Sequence, residues 1–542
     1  MNAADIIARA LHAAGCRTAF GIPGGEVLTL IDALERAGIR FVLTKHENAA
    51  GFMAEGTWHA TGHATGHATG APGILVATVG PGIANAFNVV ANAEQDRVPL
   101  IVISGAVDAA EAMRYNHQVF DHSAAFARIC KASFIVPDGA VDTMIDKALA
   151  IATDGRPGPV HIDLPIKVAE TEQPAPQQVK RSPVPPLAPA PGPDLDRARS
   201  MFAAAQRPVI MAGLDPLNEA GGSEAVAAFA RRHSIPVVTS YKGKGILPED
   251  DALSLGGHGL SPKSDKIVLP IFEAADLVIS AGYDPIEMRA GWQDPWDPAK
   301  VVEFAHAPNT HDMHYAELSW TCSVAAGLAA LEDGAEPKTG WPDDKPARIR
   351  AELQGAFSPE GDWGPGVAIA EILAAAPPEV TITIDSGAHR ILLSQQWQAK
   401  HPRGVLQSTG LCTMGCALPL AMGFKYARPD APVIAFTGDA GLEMTLGELS
   451  TLRDLGLPVV VVVFVDQSLA LIELKQRRTG LQNAGVDFQH TDFAALAKVY
   501  GGNGITVTGP GDLGPAVTDA LAADRFTILA VEIPRRAYDG LF

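Results

Sequence analysis

Short runs of apolar, mostly β-branched residues alternate with helical patterns along the whole chain, and this alternation constrains the fold most strongly. It is typical of strand–helix–strand units, which build parallel sheets covered by helices. The run at 459–464 is entirely apolar, as expected for a central strand covered on both faces. We therefore predict an α/β protein of doubly wound parallel sheets. Its predicted strands lie within 40–45, 73–80, 99–106, 158–165, 208–213, 235–241, 276–282, 300–305, 380–385, 432–440, 458–466 and 527–534.

Two stretches break this alternation and divide the 542 residues into three parts. Residues 172–194 are rich in proline, as in an extended linker, and residues 332–366 are rich in glycine, proline and charge. We predict three parallel-sheet domains, of which the central one is Rossmann-like. The predicted boundaries are a first domain at 1–170, a linker at 171–194, a central domain at 195–335, a second linker at 336–364 and a third domain at 365–542.

Charge and cysteine content exclude several classes of protein. The chain has 42 Lys plus Arg against 61 Asp plus Glu, a formal charge of -19, so no basic surface for nucleic acid or an anionic membrane is expected. Its five cysteines include no C-x-x-C pair, which argues against a disulfide framework or a zinc cluster. Residues 1–15 predict an amphipathic helix rather than a signal peptide, and no apolar run is long enough to cross a bilayer. We expect a soluble cytoplasmic protein.

The first and third parts show the same order of features. A glycine-rich turn and a helical pattern separate Gly80 from Pro99, and the same succession separates Gly438 from Pro458. Chance similarity between two α/β domains is one explanation. The other, which we favour, is a pair of related domains that face each other across a shared site.

A shorter repeat, HATGHATGHATG, occupies residues 59–70. On a helix, the imidazoles of His59, His63 and His67 would share one face and could bind a metal. The glycines weaken such a helix, so a tandem duplication of a loop is the favoured explanation.

The third part contains the strongest chemical signal. Asp439 directly follows one apolar run, and Asp466 ends the next. Because ligands of open α/β sheets bind at the carboxyl ends of the strands, these two carboxylates are expected to converge. Oxygen ligands beside a phosphate are typical of Mg²⁺. The alternative is that Asp439 caps a helix, expected to begin near Thr445, and that Asp466 is a turn residue.

The segment GDAGLEMTLGELSTLRDLGLPVVVVVFVDQS resembles the cofactor motif of the acetolactate synthase/pyruvate decarboxylase-like superfamily of thiamine-diphosphate enzymes. The resemblance implies that Asp439, Asp466 and the carbonyl of Ser468 are Mg²⁺ ligands. Val465 stands where the family usually has Asn, but that side chain is not a metal ligand. The same segment implies cofactor contacts from Gly438, Ala440 and Gly441.

The first part supplies a second match, KHENAAGFMAEG, with Glu47 at the place of the family's cofactor-activating glutamate. Such a carboxyl group hydrogen-bonds N1′ of the aminopyrimidine and thereby promotes removal of the C2 proton of the thiazolium. Taken by itself, Glu47 would be an ordinary surface acid. The flanking FGIPGGE and TVGPGIANA resemble family loops that line the same cleft, and they imply cofactor contacts from Gly24, Gly25, Pro81 and Asn85.

Two further segments complete the resemblance to a thiamine-diphosphate site. In TGLCTMG, Met414 would hold the cofactor in its bent shape, and the carbonyl of Cys412 would accept a hydrogen bond from the 4′-amino group. Without this context, a Met among apolar residues would be read as a core residue. In IDSGAHR, the diphosphate contacts would come from Gly387, Ala388 and His389, with Ala388 in place of a polar side chain.

The branch of the family is indicated by two stretches. NHQVFDHSAAF resembles a stretch of the catabolic acetolactate synthases. The resemblance implies that Gln118 reaches toward the reacting centre, with His117 nearby. The alternative for His117 and His122 is that they are ordinary polar residues of a loop. GYDPIEM resembles the FAD-independent enzymes, so FAD is not expected. Leu469, Leu471 and Ile472 are either pocket or core residues. The basic stretch at 475–478 either attracts an acidic substrate or is a solvated helix face.

The resemblance implies a thiamine-diphosphate- and Mg²⁺-dependent carboligase that decarboxylates pyruvate or a related 2-oxo acid and passes the resulting enamine to an acceptor. A simple 2-oxo acid decarboxylase is the main alternative, and an acyl-CoA lyase or a non-catalytic relative is less favoured. The family also implies a homodimer or homotetramer with active sites between subunits.

Overall fold

The computed structural model describes residues 1–65, 70–174, 185–286 and 288–542. Three six-stranded sheets form its framework, and every strand pairing in them is parallel. Helices cover the faces of the sheets, so the prediction of three α/β domains is confirmed. No helix within the described ranges is long and apolar enough to span a membrane.

The first sheet has the strand order β2-β1-β3-β4-β6-β5. Its strands are β1 Thr18–Gly21, β2 Arg40–Leu43, β3 Gly73–Ala77, β4 Leu100–Ala106, β5 Ala132–Ile135 and β6 Pro159–Pro165. Its helices are α1 Ala3–Ala13, α2 Leu28–Arg36, α3 Glu47–Thr65, α4 Pro81–Asn85, α5 Phe87–Gln95, α6 Ala109–Ala112, α7 His122–Phe126, α8 Val141–Thr153 and α9 Ile166–Glu170. The predicted amphipathic helix at the N-terminus is α1, whose apolar face is buried.

The central sheet has the order β12-β11-β10-β7-β8-β9, which is the strand order of the Rossmann fold. Its strands are β7 Pro208–Ala212, β8 Val237–Ser240, β9 Ser254–His258, β10 Leu277–Ala281, β11 Val301–Ala305 and β12 Leu318–Thr321. Its helices are α10 Pro193–Ala204, α11 Gly222–His233, α12 Pro262–Val268, α13 Pro270–Ala274 and α14 Val324–Glu332; α15 Lys345–Ala356 leads to the third sheet.

The third sheet has the order β14-β13-β15-β16-β18-β17, the same arrangement as the first. This shared order confirms that the two domains are related. Its strands are β13 Thr381–Ile384, β14 Val405–Gln407, β15 Val433–Gly438, β16 Val460–Val465, β17 Asn503–Val507 and β18 Thr527–Glu532. Its helices are α16 Pro365–Ala375, α17 Ala388–Gln396, α18 Ala417–Ala427, α19 Asp439–Glu443, α20 Glu448–Leu455, α21 Ala470–Arg478, α22 Phe493–Val499 and α23 Leu513–Leu521.

The helix expected to begin near Thr445 is placed differently. A short helix, α19, begins at Asp439 itself, and a longer one, α20, begins at Glu448. The chain turns at Thr445, whose backbone N–H binds the carbonyl of Leu442. The glycine at Gly447 allows this turn to pass close to the first domain, since a Cβ there would lie 3.2 Å from the Cβ of Lys45.

Helices α3 and α18 join the first and third domains. They cross where glycines allow backbone contact: a Cβ on Gly56 would lie 2.3 Å from the carbonyl oxygen of Leu420, and a Cβ on Gly423 would lie 1.9 Å from that of Met53. A single cluster of buried apolar side chains, including Phe52 and Leu420, continues across the crossing. The relative placement of the two related domains is therefore set by backbone-to-backbone packing.

Candidate active site

The predicted metal-binding carboxylates meet at the carboxyl edge of the third sheet. Strands β15 and β16 are neighbours, and Asp439 and Asp466 directly follow them. One carboxylate oxygen of Asp439, Oδ2, accepts hydrogen bonds from the backbone N–H groups of Asp466, at 3.1 Å, and Gln467, at 2.8 Å. The other, Oδ1, accepts from the N–H of Ala440 at 2.8 Å. These bonds fix the Asp439 carboxylate against the loop that carries Asp466.

The electrostatics of this pair fit a divalent cation. Asp466 is buried, and its Oδ2 has no hydrogen-bond partner among the described residues. Burial, together with the charge of Asp439, raises the pKa of Asp466 to about 7. Burial also raises the pKa of Asp439. Because a cation between two carboxylates would relieve both penalties, this all-oxygen donor set suits Mg²⁺.

The carboxylate pair opens into a cavity of about 120 Å³ at the end of the third sheet. The structure places most of the predicted third-domain contacts around this one cavity. The lining residues among them are Gly387, Ala388, His389, Met414, Gly438, Asp439, Ala440, Gly441, Asp466 and Ser468. Cys412 is not among the lining residues; it lies on the neighbouring loop with φ +52°, and its thiol donates to the carbonyl of Thr409.

Asp385 organises the loops around this cavity, and sequence reasoning missed it. It is completely buried at the end of β13. Its carboxylate accepts from the N–H of Gly415, at 2.7 Å, and from the hydroxyl of Thr437, at 2.9 Å, and it lies 2.9 Å from Nε2 of His389. One side chain thus ties together three of the segments that form the cavity. The available signal was an acid directly after a buried strand.

The remaining wall of the cavity comes from α21 and the C-terminal segment. Leu469, Leu471 and Ile472 line it, so they are pocket residues rather than core. Tyr538, which sequence reasoning also missed, closes the same wall. Arg477, from the basic stretch at 475–478, is engaged by Glu473 at 2.8 Å and by Asp539 at 2.6 Å.

The predicted first-domain residues form a second group. Glu47 is the first residue of α3 and is buried, and the Nδ2 of Asn85 donates to its Oε2 at 3.0 Å. Gly24 lies against Thr78, since a Cβ there would be 2.1 Å from the threonine hydroxyl. Gly25, next to Gly24, and Pro81, the first residue of α4, are exposed.

His117 and Gln118 lie on an exposed loop that packs against the turn before α4. A Cβ on Gly80, which has φ +71°, would lie 2.6 Å from the carbonyl oxygen of Gln118. His122 is buried rather than a polar loop residue; its Nε2 accepts from the N–H of Gly80 at 3.4 Å and its Nδ1 lies 2.7 Å from Asp163. This buried pair supports the loop that presents Gln118.

The first-domain group does not line the cavity of its own chain. Within the described part of the chain, the lining residues run from Ser386 to Tyr538 and all belong to the third part. Glu47 and the carboxylate pair Asp439/Asp466 therefore do not share one cavity in a single chain.

The repeat at 59–70 lies only partly within the described residues. The side chains of His63 and His67 lie outside the described residues. His59 is buried, and both of its ring nitrogens are engaged, Nδ1 by Arg403 at 2.7 Å and Nε2 by Glu55 at 3.3 Å. His59 is therefore part of the packing between α3 and the third domain.

Comparisons with known proteins match the chain from end to end. Three family models apply: the thiamine pyrophosphate enzyme N-terminal TPP binding domain at residues 1–125, the central domain at 195–331, and the C-terminal TPP binding domain at 385–531. An acetolactate synthase large subunit of Parasynechococcus marenigrum is 31% identical over 99% of this chain and 88% of its own length.

Two other relatives are named for different reactions, one as a synthase and one as a decarboxylase. A catabolic acetolactate synthase of Raoultella terrigena is 26% identical over 99% of this chain and 95% of its own length. A probable 2-ketoarginine decarboxylase of Pseudomonas aeruginosa is 29% identical over 92% of this chain and 88% of its own length. Given these full-length matches, the chain belongs to the thiamine pyrophosphate enzyme family and is a thiamine-diphosphate-dependent enzyme.

Proposed function

We propose that this enzyme is an acetolactate synthase-like carboligase, which decarboxylates pyruvate or a related 2-oxo acid and transfers the remaining acyl unit to a second 2-oxo acid. The observation that carries the proposal is the buried pair Asp439/Asp466, which lines the same cavity as Met414 and has one carboxylate oxygen without a partner among the described residues. The relatives named acetolactate synthase support carboligation as the reaction.

The proposed cofactor contacts fall into three groups. Asp439, Asp466 and the carbonyl of Ser468 would hold Mg²⁺, and Gly387, Ala388 and His389 would hold the diphosphate. Met414 and the carbonyl of Cys412 would orient the pyrimidine ring. Bound thiamine diphosphate supplies a nucleophilic carbon and an electron sink for decarboxylation.

Glu47 would hold the proton that the reaction needs. A carboxyl group that donated to N1′ of the pyrimidine ring would draw electron density away from the 4′-amino group and make it easier to deprotonate, so that its nitrogen could then serve as the base toward the C2 proton. Asn85 holds Oε2 of Glu47 at 3.0 Å and so leaves the other oxygen for this contact. Burial of Glu47 keeps competing water away from its carboxyl group.

The substrate end of the proposed site is apolar. Leu469, Leu471 and Ile472 form its wall, which suits the short apolar side chain of a 2-oxo acid such as pyruvate. Gln118, with His117 beside it, would donate hydrogen bonds to the polar carboxylate and keto groups. The guanidinium group of Arg477 is already paired with Glu473 and Asp539, so we do not propose that it binds the substrate.

We also propose that the active site is completed by a second subunit, in a homodimer or homotetramer. This explains why Glu47 is absent from the cavity lined by Asp439 and Asp466 of its own chain. A two-fold arrangement would bring the first domain of one protomer to the third domain of its partner and form two equal sites.

We further infer that the enzyme does not need FAD. In a Rossmann-like sheet, a dinucleotide would occupy the crevice between β7 and β10, where the strand order reverses. There the segments that follow β7 and β10 lie close together, since a Cβ on Gly213 would lie 2.4 Å from the carbonyl oxygen of Gly282. Asp284 beside it is paired with Arg97 of the first domain at 3.0 Å.

A product assay tests the proposal. The purified enzyme is supplied with Mg²⁺, thiamine diphosphate and pyruvate, and the products are identified. Acetolactate is expected. Acetaldehyde as the sole product would contradict carboligation and support the second candidate, a simple 2-oxo acid decarboxylase, which the 2-ketoarginine decarboxylase relative favours. A parallel panel of longer and basic 2-oxo acids identifies the donor.

A further inference from the structure

We propose that Glu448 is a positioning residue that holds Glu47 in place from the third domain. The proposal rests on the proposed role of Glu47, and nothing in the family resemblance assigns a part to Glu448. Two hydrogen bonds to the Glu448 carboxylate join α20 to the residues directly before α3.

Glu448 is the first residue of α20 and is 1% exposed. Its Oε1 accepts hydrogen bonds from two consecutive backbone N–H groups of the first domain, those of Lys45 at 2.9 Å and His46 at 3.1 Å. Its Oε2 accepts from the hydroxyl of Thr451 at 2.8 Å. One oxygen of the carboxylate thus binds the two residues that precede Glu47, and the other is held within α20.

The other side of this segment is fixed by α3 itself. Nδ1 of His46 accepts from the N–H of Asn48 at 3.1 Å, and the carbonyl of His46 accepts from the N–H of Ala50 at 3.0 Å. His46 therefore caps the helix, while Glu448 holds the backbone of the cap. The backbone on either side of Glu47 is therefore fixed, by Glu448 before it and by the first turn of α3 after it. This fixes the direction in which the side chain of Glu47 points.

An acid at the start of a helix is often only a favourable partner for that helix's own dipole. Two observations separate Glu448 from that ordinary role. Its Oε1 bonds go to another domain, and Gly447 beside it permits the approach, since a Cβ there would lie 3.2 Å from the Cβ of Lys45. Burying a carboxylate is unfavourable without partners, and here the partners are the residues that carry Glu47.

The variants Glu448→Ala, Glu448→Gln and Thr451→Val test this role. Alanine removes both acceptors for Lys45 and His46, whereas glutamine keeps one carbonyl oxygen for them, and Thr451→Val changes only the bond inside α20. The first measurement is backbone hydrogen exchange of the 44–50 segment in the cofactor-free protein, which does not depend on any catalytic role. We expect faster exchange in Glu448→Ala and near-normal exchange in the other two variants.

The second measurement is exchange of the C2 proton of bound thiamine diphosphate, with cofactor affinity measured alongside. A misplaced catalytic group loses on the order of 100-fold in rate, so Glu448→Ala should slow C2 exchange on that scale while affinity changes little. Glu448→Gln should restore most of the rate. Normal C2 exchange in Glu448→Ala, or equal slowing in Glu448→Gln, would overturn the proposal.

The two measurements also separate this inference from the proposed function. If wild-type enzyme shows no C2 exchange, the role of Glu47 is wrong, whatever the 44–50 segment does. If wild-type exchange is normal and the 44–50 segment is unchanged in Glu448→Ala, then Glu448 does not position Glu47.

Discussion

At the scale of single residues, this enzyme relies on buried carboxylates that accept hydrogen bonds from other segments. Asp385 joins three loops, Asp439 fixes the loop of Asp466, and Glu448 holds the residues before Glu47. Ionised acceptors form stronger hydrogen bonds than neutral ones, which makes a carboxylate an effective anchor for backbone N–H groups. Each acid thus determines where a neighbouring functional group lies.

The metal role of Asp439 gives the first prediction. Asp439→Ala removes one proposed Mg²⁺ ligand and the acceptor for the N–H groups of Asp466 and Gln467. Because loss of even an outer partner weakens metal binding by about 10–100-fold, we expect at least about 100-fold weaker binding of Mg²⁺ and thiamine diphosphate together. Equilibrium dialysis with both ligands measures this, and exposed Asp430→Ala is the control. Unchanged affinity would place the metal elsewhere.

The burial of Glu55 gives a prediction about pH and stability. Burial raises the pKa of Glu55 from its ordinary 4.5 to about 8. The folded protein therefore holds this proton more tightly than the unfolded chain, and the stability from Glu55 is present below about pH 4.5 and lost as pH rises toward 8. The loss is expected to be on the order of a few kcal/mol.

Glu55→Gln should remove this pH dependence, because an amide can still accept from Asn92 but does not ionise. Calorimetric melting from pH 5 to 9 should show that the stability of the variant increases relative to that of the wild type as pH rises. Exposed Glu352→Gln is the matched control, with no such trend expected. Parallel curves for wild type and Glu55→Gln would show that Glu55 stays ionised throughout.

At the scale of elements, eleven of the twelve interior strands could be predicted from sequence, whereas only one of the six edge strands, β2, could be. All twelve predicted runs contain strands, and the fully apolar run is β16, in the middle of its sheet. The six that were missed are β1, β5, β9, β12, β14 and β17, and all except β1 lie at the edge of a sheet. An edge strand needs less apolar surface and stays short, so its residues resemble a loop.

The crossing of α3 and α18 gives a prediction at this scale. Gly423→Ala places a Cβ 1.9 Å from the carbonyl oxygen of Met53, so the two helices must move apart. Overpacking of this kind destabilises by about 1–3 kcal/mol. The control is Gly355→Ala in α15, where a Cβ meets nothing within 4 Å and a small gain is expected. Equal melting temperatures for the two variants would mean that the helices do not cross this closely.

At the scale of the whole molecule, the order of domains and most cavity residues could be predicted because they lie in contiguous segments with a recognisable pattern. Glu448 could not, because its partners are set by how the chain folds back: Lys45 and Glu448 are 403 positions apart. Tyr538 follows the last strand in a charged stretch with no periodic pattern. Contacts between distant segments leave no local signal in one sequence.

In the proposed active site, the cofactor is held between Glu47 of one subunit and Asp439 of another. Mixing two inactive variants tests this arrangement directly. Glu47→Gln and Asp439→Ala are each expected to be inactive alone. If the site is shared, a mixed dimer contains one intact site, and random exchange of subunits should restore up to about a quarter of wild-type activity. If both residues act within one chain, every site carries a defect, and a mixture that stays inactive despite proven subunit exchange would contradict the account.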